Sequence, residues 1–183
     1  MARESFHVEP YGARATARHY IRDIVYGAND GLITTFAVVS GVAGGALSQI
    51  AVLVIGAANL AADGVSMGVG NLLAIRAEER AREVDGLPEL EAYPWKHGLA
   101  TLVAFVAAGG IPLLPYMLPI RPTVRLGWST AMTFAGLFLL GAARAFITRD
   151  RWWRTGLETL GLGLVVALAA YGAGLLVAAV IRG

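Results

Sequence analysis

Residues 31–62 read GLITTFAVVSGVAGGALSQIAVLVIGAANLAA, a stretch without one Asp, Glu, Lys or Arg. About 20 apolar helical residues cross the roughly 30 Å hydrocarbon core of a bilayer, so this run is longer than a single crossing needs. It divides at Gly44-Gly45-Ala46-Leu47-Ser48-Gln49, whose glycines and polar residues signal a tight turn between two helices. Working outward, the chain repeats the charge-free pattern over 98–120, 126–143 and 159–181. The expected fold is all-α: a polytopic membrane protein with five transmembrane helices at about 24–43, 50–75, 98–118, 124–146 and 157–181. Residues 1–23 form an N-terminal cytoplasmic or interfacial segment, and 24–183 form one transport-sized membrane domain with a short acidic inner loop, 76–97.

Composition agrees. The 183 residues are 56% hydrophobic and 15% charged, against about 25% charged in an ordinary soluble domain. Five spans leave no room for a soluble catalytic domain. The chain has no cysteine, which excludes disulfides and thiolate metal sites. It carries no nucleophile arrangement, phosphate-binding glycine loop or catalytic carboxylate pair, so no enzyme is expected. The net charge of +2 does not point to nucleic acid, because the basic residues lie in loops where topology explains them. Arg outnumbers Lys fourteen to one, as in GC-rich bacterial genes, and the expected location is a bacterial inner membrane.

Basic residues set the orientation. With the N-terminus in the cytoplasm, the inner segments hold Arg3, Arg14, Arg18, Arg22, Arg76, Arg80, Arg82, Lys96, Arg144, Arg149, Arg151 and Arg154, leaving Arg121, Arg125 and Arg182 outside. Residues 1–23 lack the apolar core of a signal peptide. Arg14, Arg18 and Arg22 stand four apart, either as one face of an interfacial helix or as a solvated flank. Tyr93, Trp95, Tyr116, Trp128, Trp152 and Trp153 fall near span ends, where aromatic belts form. Pro112 and Pro115 should kink or end the third span. The pairs Gly27/Gly31, Gly41/Gly45 and Gly64/Gly68 make the first two helices candidates for a close interface, within or between protomers.

Intramembrane acids are costly and by default mark an ion or proton path. Asp30 and Asp63 are the two here. By helical rise Asp30 lies about 9 Å, and Asp63 about 18 Å, from the inner ends of their spans, at different depths. Asn59, Asp63, Met67 and Asn71 recur every four residues along the second helix, so they share a drifting stripe; Asp30 is expected level with the turn between Met67 and Asn71. Oxygen ligands suit Mg²⁺, Ca²⁺ or Mn²⁺, whereas a thioether favours transition metals; Met67 either ligates or simply packs. In the inner loop, Glu78, Glu79 and Glu83 either gather cations at the pore mouth or belong to a salt-bridged helix end with Arg80 and Arg82. His7, His19 and His97 are scattered outside the spans and form no recognisable histidine motif.

Four stretches resemble the vacuolar iron transporter family: Asp23-Ile24-Val25-Tyr26-Gly27-Ala28-Asn29-Asp30-Gly31-Leu32 with Thr34-Thr35-Phe36, Ala61-Ala62-Asp63-Gly64-Val65-Ser66-Met67-Gly68-Val69-Gly70, Ile111-Pro112-Leu113-Leu114-Pro115-Tyr116, and Trp152-Trp153-Arg154-Thr155-Gly156-Leu157-Glu158. The resemblance implies a five-helix protomer and a homodimer with its pore between the first and second helices of both chains. It further implies export of divalent metal, Fe²⁺ or Mn²⁺, by proton antiport, with no cofactor besides the transported ion. Asp30 matches the family's pore aspartate and Met67 its pore methionine. Asn59 stands where plant-type members have glutamate, Asn71 where many bacterial members do, and the inner loop is shorter than the family's glutamate-rich helices. Similar bacterial membrane domains occur joined to ferritin-like domains. The alternative function is therefore a membrane anchor or docking module for a ferritin-like iron-storage partner, with a vestigial pore.

The topology makes a direct prediction: reporter fusions after Gly45 and after Pro119 should both read as external, and an internal readout at either would overturn the orientation.

Overall fold

The computed structural model describes residues 4–182, less the side chains at 13, 146–148 and 182; Arg3 and the side chains of Phe146 and Arg182 thus lie outside the described residues. Helix α1 spans Ala13–Gly44, α2 Gln49–Val84, α3 Pro94–Gly109, α4 Leu114–Met117, α5 Pro122–Thr148 and α6 Trp152–Arg182, with a 3-10 turn at Ile111–Leu113. No strand occurs among the described residues; a single bridge pairs Ser5 with Glu89.

Local chemistry sets these boundaries. Ser48 caps α2 by accepting a hydrogen bond from the Ala51 N–H, in the turn expected between the first two helices. Pro112 and Pro115 break the third rod into α3, the 3-10 turn and α4. The carbonyl of Pro112 is taken up by the Ser129 hydroxyl of α5 at 2.7 Å. Tyr116, expected in an interfacial belt, is instead buried in the core cluster with Phe36, Val39 and Leu113. Its backbone carbonyl accepts from Gln49 Nε2 at 2.7 Å, and Arg125 reaches the other end of that amide. Trp95, Trp128, Trp152 and Trp153 remain exposed, as belt residues should be.

Four helical segments are long and apolar enough to cross a membrane: Gln49–Val84, Pro94–Met117, Pro122–Ala145 and Trp152–Ile181. The expected fifth, α1, is not among them, because Asn29, Asp30, Thr34, Thr35 and Ser40 dilute its apolar run. Yet α1 is the helix that packs on all the long others, most extensively on α3 and α6. Asp23, Thr35 and Ser40 are buried along it. By contrast only 6% of the apolar window of α6 is buried, against 44% for the third segment. Buried polar groups thus lie within the bundle beside its apolar core, and the outward faces are apolar, as suits a lipid environment.

The glycine pairs bring helices together, but the partners differ from the expected ones. A Cβ on Gly27 would lie 2.4 Å from the Thr101 carbonyl oxygen, and one on Gly31 would lie 2.3 Å from that of Phe105. Gly64 and Gly68 also face α3, through Leu102, Phe105 and Gly98, while Gly41 meets Gly174 of α6. The small residues of α1 and α2 therefore seat both helices on α3, and α1 on α6, within one protomer. Spacing shows that a helix can be approached closely; it does not say by which neighbour.

Gly31→Ala should accordingly destabilise the bundle by about 1–3 kcal/mol through overpacking. Gly161→Ala, with nothing within 4 Å of its Cβ, should be neutral or slightly stabilising, since alanine favours a helix by about 0.5–1 kcal/mol. Thermal unfolding in detergent distinguishes the two, and equal midpoints would contradict the backbone-to-backbone seam.

Candidate functional site

The site is built around a buried carboxylate. Asp23 of α1 is 2% exposed. One of its oxygens accepts from Asn71 Nδ2 of α2 at 2.8 Å and lies 3.5 Å from Arg22 Nη2. The other meets His97 Nδ1 of α3 at 2.5 Å. The same Asn71 nitrogen donates to Thr101 Oγ1 at 2.8 Å, and that hydroxyl donates to the His97 carbonyl at 3.0 Å. Three helices are thereby joined through one polar clasp.

This clasp fixes the register of α1 against α2. The helices run antiparallel, and residue 23 is level with residue 71; each step outward along α1 is a step backward along α2, so residue 30 comes level with residue 64. Packing on α3 agrees, since Gly31 and Gly64 both face Phe105. Asp30 and Asp63 therefore stand at one level. Met67 is level with Gly27, about one 5.4 Å turn further in. The different depths expected for the two acids are corrected by this register. The span ends from which they were counted share no plane, because α1 is already helical at Ala13 and α2 continues to Val84.

Asp30, Asp63, Met67 and Asn59 are all half-buried. The Asp30 backbone carbonyl accepts from Thr34 Oγ1 at 2.8 Å. One turn outward from the acids, Asn59 Nδ2 and Thr35 Oγ1 are buried without a hydrogen-bond partner among the described residues. By the same register they too are level. Unsatisfied buried polar atoms are rare in folded proteins, and these two extend the polar column beyond the aspartates. Asn71 stands apart: its amide nitrogen is committed to Asp23 and Thr101, which ties it into the helix junction.

At the loop end, Glu79 Oε1 accepts from the backbone N–H groups of Leu90 and Glu91, at 3.1 and 3.0 Å. Glu79 thus shapes the loop. Glu83 pairs with Arg80 at 3.0 Å on the surface, as a salt-bridged helix end would. Glu78 and Glu79 line a cleft with His19, Asp23, Glu91 and His97. The chain's N-terminal segment closes over this region. Phe6 N–H donates to the Glu89 carbonyl and Glu89 N–H to the Glu4 carbonyl, each at 2.8 Å. Lys96 pairs with Glu9 and holds its carboxyl below the ordinary range.

The scattered histidines of the sequence are not scattered in space. His19 and His97 rings lie 5.0 Å apart and His7 and His19 rings 6.1 Å apart, all gathered around Glu91. Neither spacing nor periodicity marks this cluster, since it draws on three separate segments. The available signal was topological: all three histidines belong to segments expected on one side of the membrane.

A sequence profile of the VIT family matches residues 21–87 and 80–175. The chain is 27% identical over 213 aligned positions to "Vacuolar iron transporter 1" of Arabidopsis thaliana, covering 85% of each chain. It is 31% identical over 176 positions to "Vacuolar iron transporter homolog 1" of Oryza sativa subsp. japonica, covering 88% of this chain and 74% of that one. A "Vacuolar iron transporter" of Toxoplasma gondii is 37% identical over 100 positions, 46% of this chain and 33% of its own.

Asn71→Leu should lower stability by about 1–3 kcal/mol, because it leaves the buried Asp23 carboxylate short of a donor. A shift in thermal unfolding midpoint checks this; an unchanged midpoint would mean that the clasp does not hold α2.

Proposed function

The chain belongs to the VIT family, and from that premise we propose that it exports divalent transition metal, Fe²⁺ or Mn²⁺, from the cytosol in exchange for protons, through a pore formed by α1 and α2 of two copies. Family membership makes it a membrane transporter and not an enzyme, and the metal is its substrate. The relatives compared are named as transporters, which does not favour the docking-module reading.

What supports the reading most is the helix register, which brings Asp30 and Asp63 to one level with Met67 one turn inward. Two carboxylates balance the charge of one divalent ion, and the thioether adds a soft ligand. When the ion leaves, protons can replace its charge on the same oxygens, so metal and protons exchange at one place. Asn59 and Thr35 would then supply oxygens further out along the path, and Asn71 would support it by holding α2 in register.

Parity supports α1 as a fifth span. The N-terminal segment is hydrogen-bonded to the loop between α2 and α3, so both lie on the same side of the membrane. A chain that crosses along α2 must then cross in the opposite sense along α1. The excess of basic residues on that side favours the cytoplasm, and residues 1–23 then act as a cytoplasmic flank. A dimer gains support from the open face of α2. Val54, Val65, Val69 and Leu73 are exposed, while Asp63 and Met67 sit half-buried, so a second copy against α2 would enclose the acids. Metal collection by Glu78, Glu79 and Glu83 would be secondary, since Glu79 and Glu83 are already engaged.

The test is flux of Fe²⁺, Mn²⁺, Co²⁺ and Zn²⁺ into proteoliposomes under an imposed pH gradient. Asp30→Asn should reduce flux at least tenfold, Asp63→Asn should stop it or uncouple it from the gradient, and Met67→Leu should slow Fe²⁺ more than Mn²⁺. Unimpaired flux in both aspartate variants would refute the pore.

A further inference from the structure

Outside the pore column, Glu91 is approached by three imidazoles. His97 Nε2 lies 3.0 Å and His19 Nε2 3.3 Å from the same oxygen, Oε2, while His7 Nδ1 lies 3.3 Å from Oε1. The ligand atoms of His19, Glu91 and His97 all fall within 4.8 Å of one another. We propose that His19, His97 and Glu91 form a binding site for a divalent first-row transition metal, distinct from the intramembrane donors, with Asp23 orienting His97 and His7 supporting the far oxygen of Glu91.

The tautomer of His97 carries the argument. Asp23 is a carboxylate and can only accept, so the 2.5 Å contact requires Nδ1 to donate. In the neutral ring Nε2 is then an acceptor, and it lies 3.0 Å from another acceptor, Glu91 Oε2, off the line of a hydrogen bond. Two acceptors 3.0 Å apart repel unless a cation lies beside both of them. A proton there would make a directed hydrogen bond, yet the Nε2 atoms of both His19 and His97 are buried and lack one. The His97 side chain is 8% exposed, so water does not relieve the contact.

Both contacts to Glu91 Oε2 fit edges of a coordination polyhedron. Two ligand atoms each about 2.0–2.1 Å from one ion, at tetrahedral or octahedral angles, stand roughly 2.8–3.4 Å apart. The measured 3.0 and 3.3 Å fall in that range. Two histidines with one carboxylate suit Zn²⁺ or Fe²⁺, and a carboxylate on the far nitrogen of a ligating histidine is the usual orienting partner. Glu79 fixes the backbone of Glu91, and the Ser5 to Glu89 bridge holds the His7 segment over the site. Glu78 lines the same cleft and would offer a carboxylate at its mouth.

The site rests on its own donors and not on transport, so the test separates the two. Full-length Asp30→Asn/Asp63→Asn protein, purified in detergent, lacks both intramembrane carboxylates and is titrated with Co²⁺. One Co²⁺ per chain with visible ligand-field absorption is expected, and X-ray absorption should show outer-shell scattering from two imidazoles. Adding His19→Ala should weaken binding about 100-fold, and Asp23→Asn about 10- to 100-fold, in keeping with losses at orienting partners. Absence of bound Co²⁺ in the double variant, of imidazole scattering, or of any effect of His19→Ala would overturn the site. Co²⁺ bound at this site in unsubstituted protein that shows no metal flux would leave the site standing and remove the transport reading alone.

Discussion

A single buried carboxylate organises this bundle. Taking a charge out of water costs several kcal/mol unless partners replace its hydration. Asp23 obtains those partners from two other helices, His97 of α3 and Asn71 of α2. Neither helix can slide or rotate without stranding the charge. The alignment of Asp30 with Asp63, and the position of Met67 one turn inward, descend from that register. A constraint at one end of the helices thus sets the chemistry of their middle.

Around it, polar groups lie inside the bundle beside an apolar core, while the most apolar helix faces outward. α1, whose apolar run is diluted by Asn29, Asp30, Thr34, Thr35 and Ser40, packs on every other long helix; α6, the most apolar segment, is nearly bare. Hydropathy therefore misses the helix on which the others pack. Close seating comes from glycines on α1 and α2 meeting the backbone of α3 and α6. There is little gain from apolar burial between helices when lipid is equally apolar, and contact of this kind leaves no room for added atoms.

Much of this was legible in the residue order. Charge gaps mark the four apolar segments, Gly44 to Gln49 mark the turn, Pro112 and Pro115 mark the break, and the stripe from Asn59 to Met67 lies along one helix. Each of these is a local property, readable from periodicity and turn chemistry. What could not be read was pairwise. The glycine spacing does not name α3 as the partner, Tyr116 resembles any interfacial tyrosine until the core closes on it, and Asn71 shares a stripe with Met67 yet serves a different neighbour. The histidine cluster is the extreme case: His7, His19 and His97 become adjacent only when three segments meet at Glu91.

The bridge between Ser5 and Glu89 bears on how the chain is made. A contact of that sequence separation cannot form until the first two helices and the loop after them have left the ribosome. It also cannot form across a bilayer. Were only one of α1 and α2 to cross, residues 4–9 would be stranded opposite residue 89, with Glu9 parted from Lys96 and His7 from Glu91. The strap, two backbone hydrogen bonds, therefore forms only when α1 and α2 insert as a pair or not at all. Protease protection of residues 4–9 would report that pairing without any reference to transport.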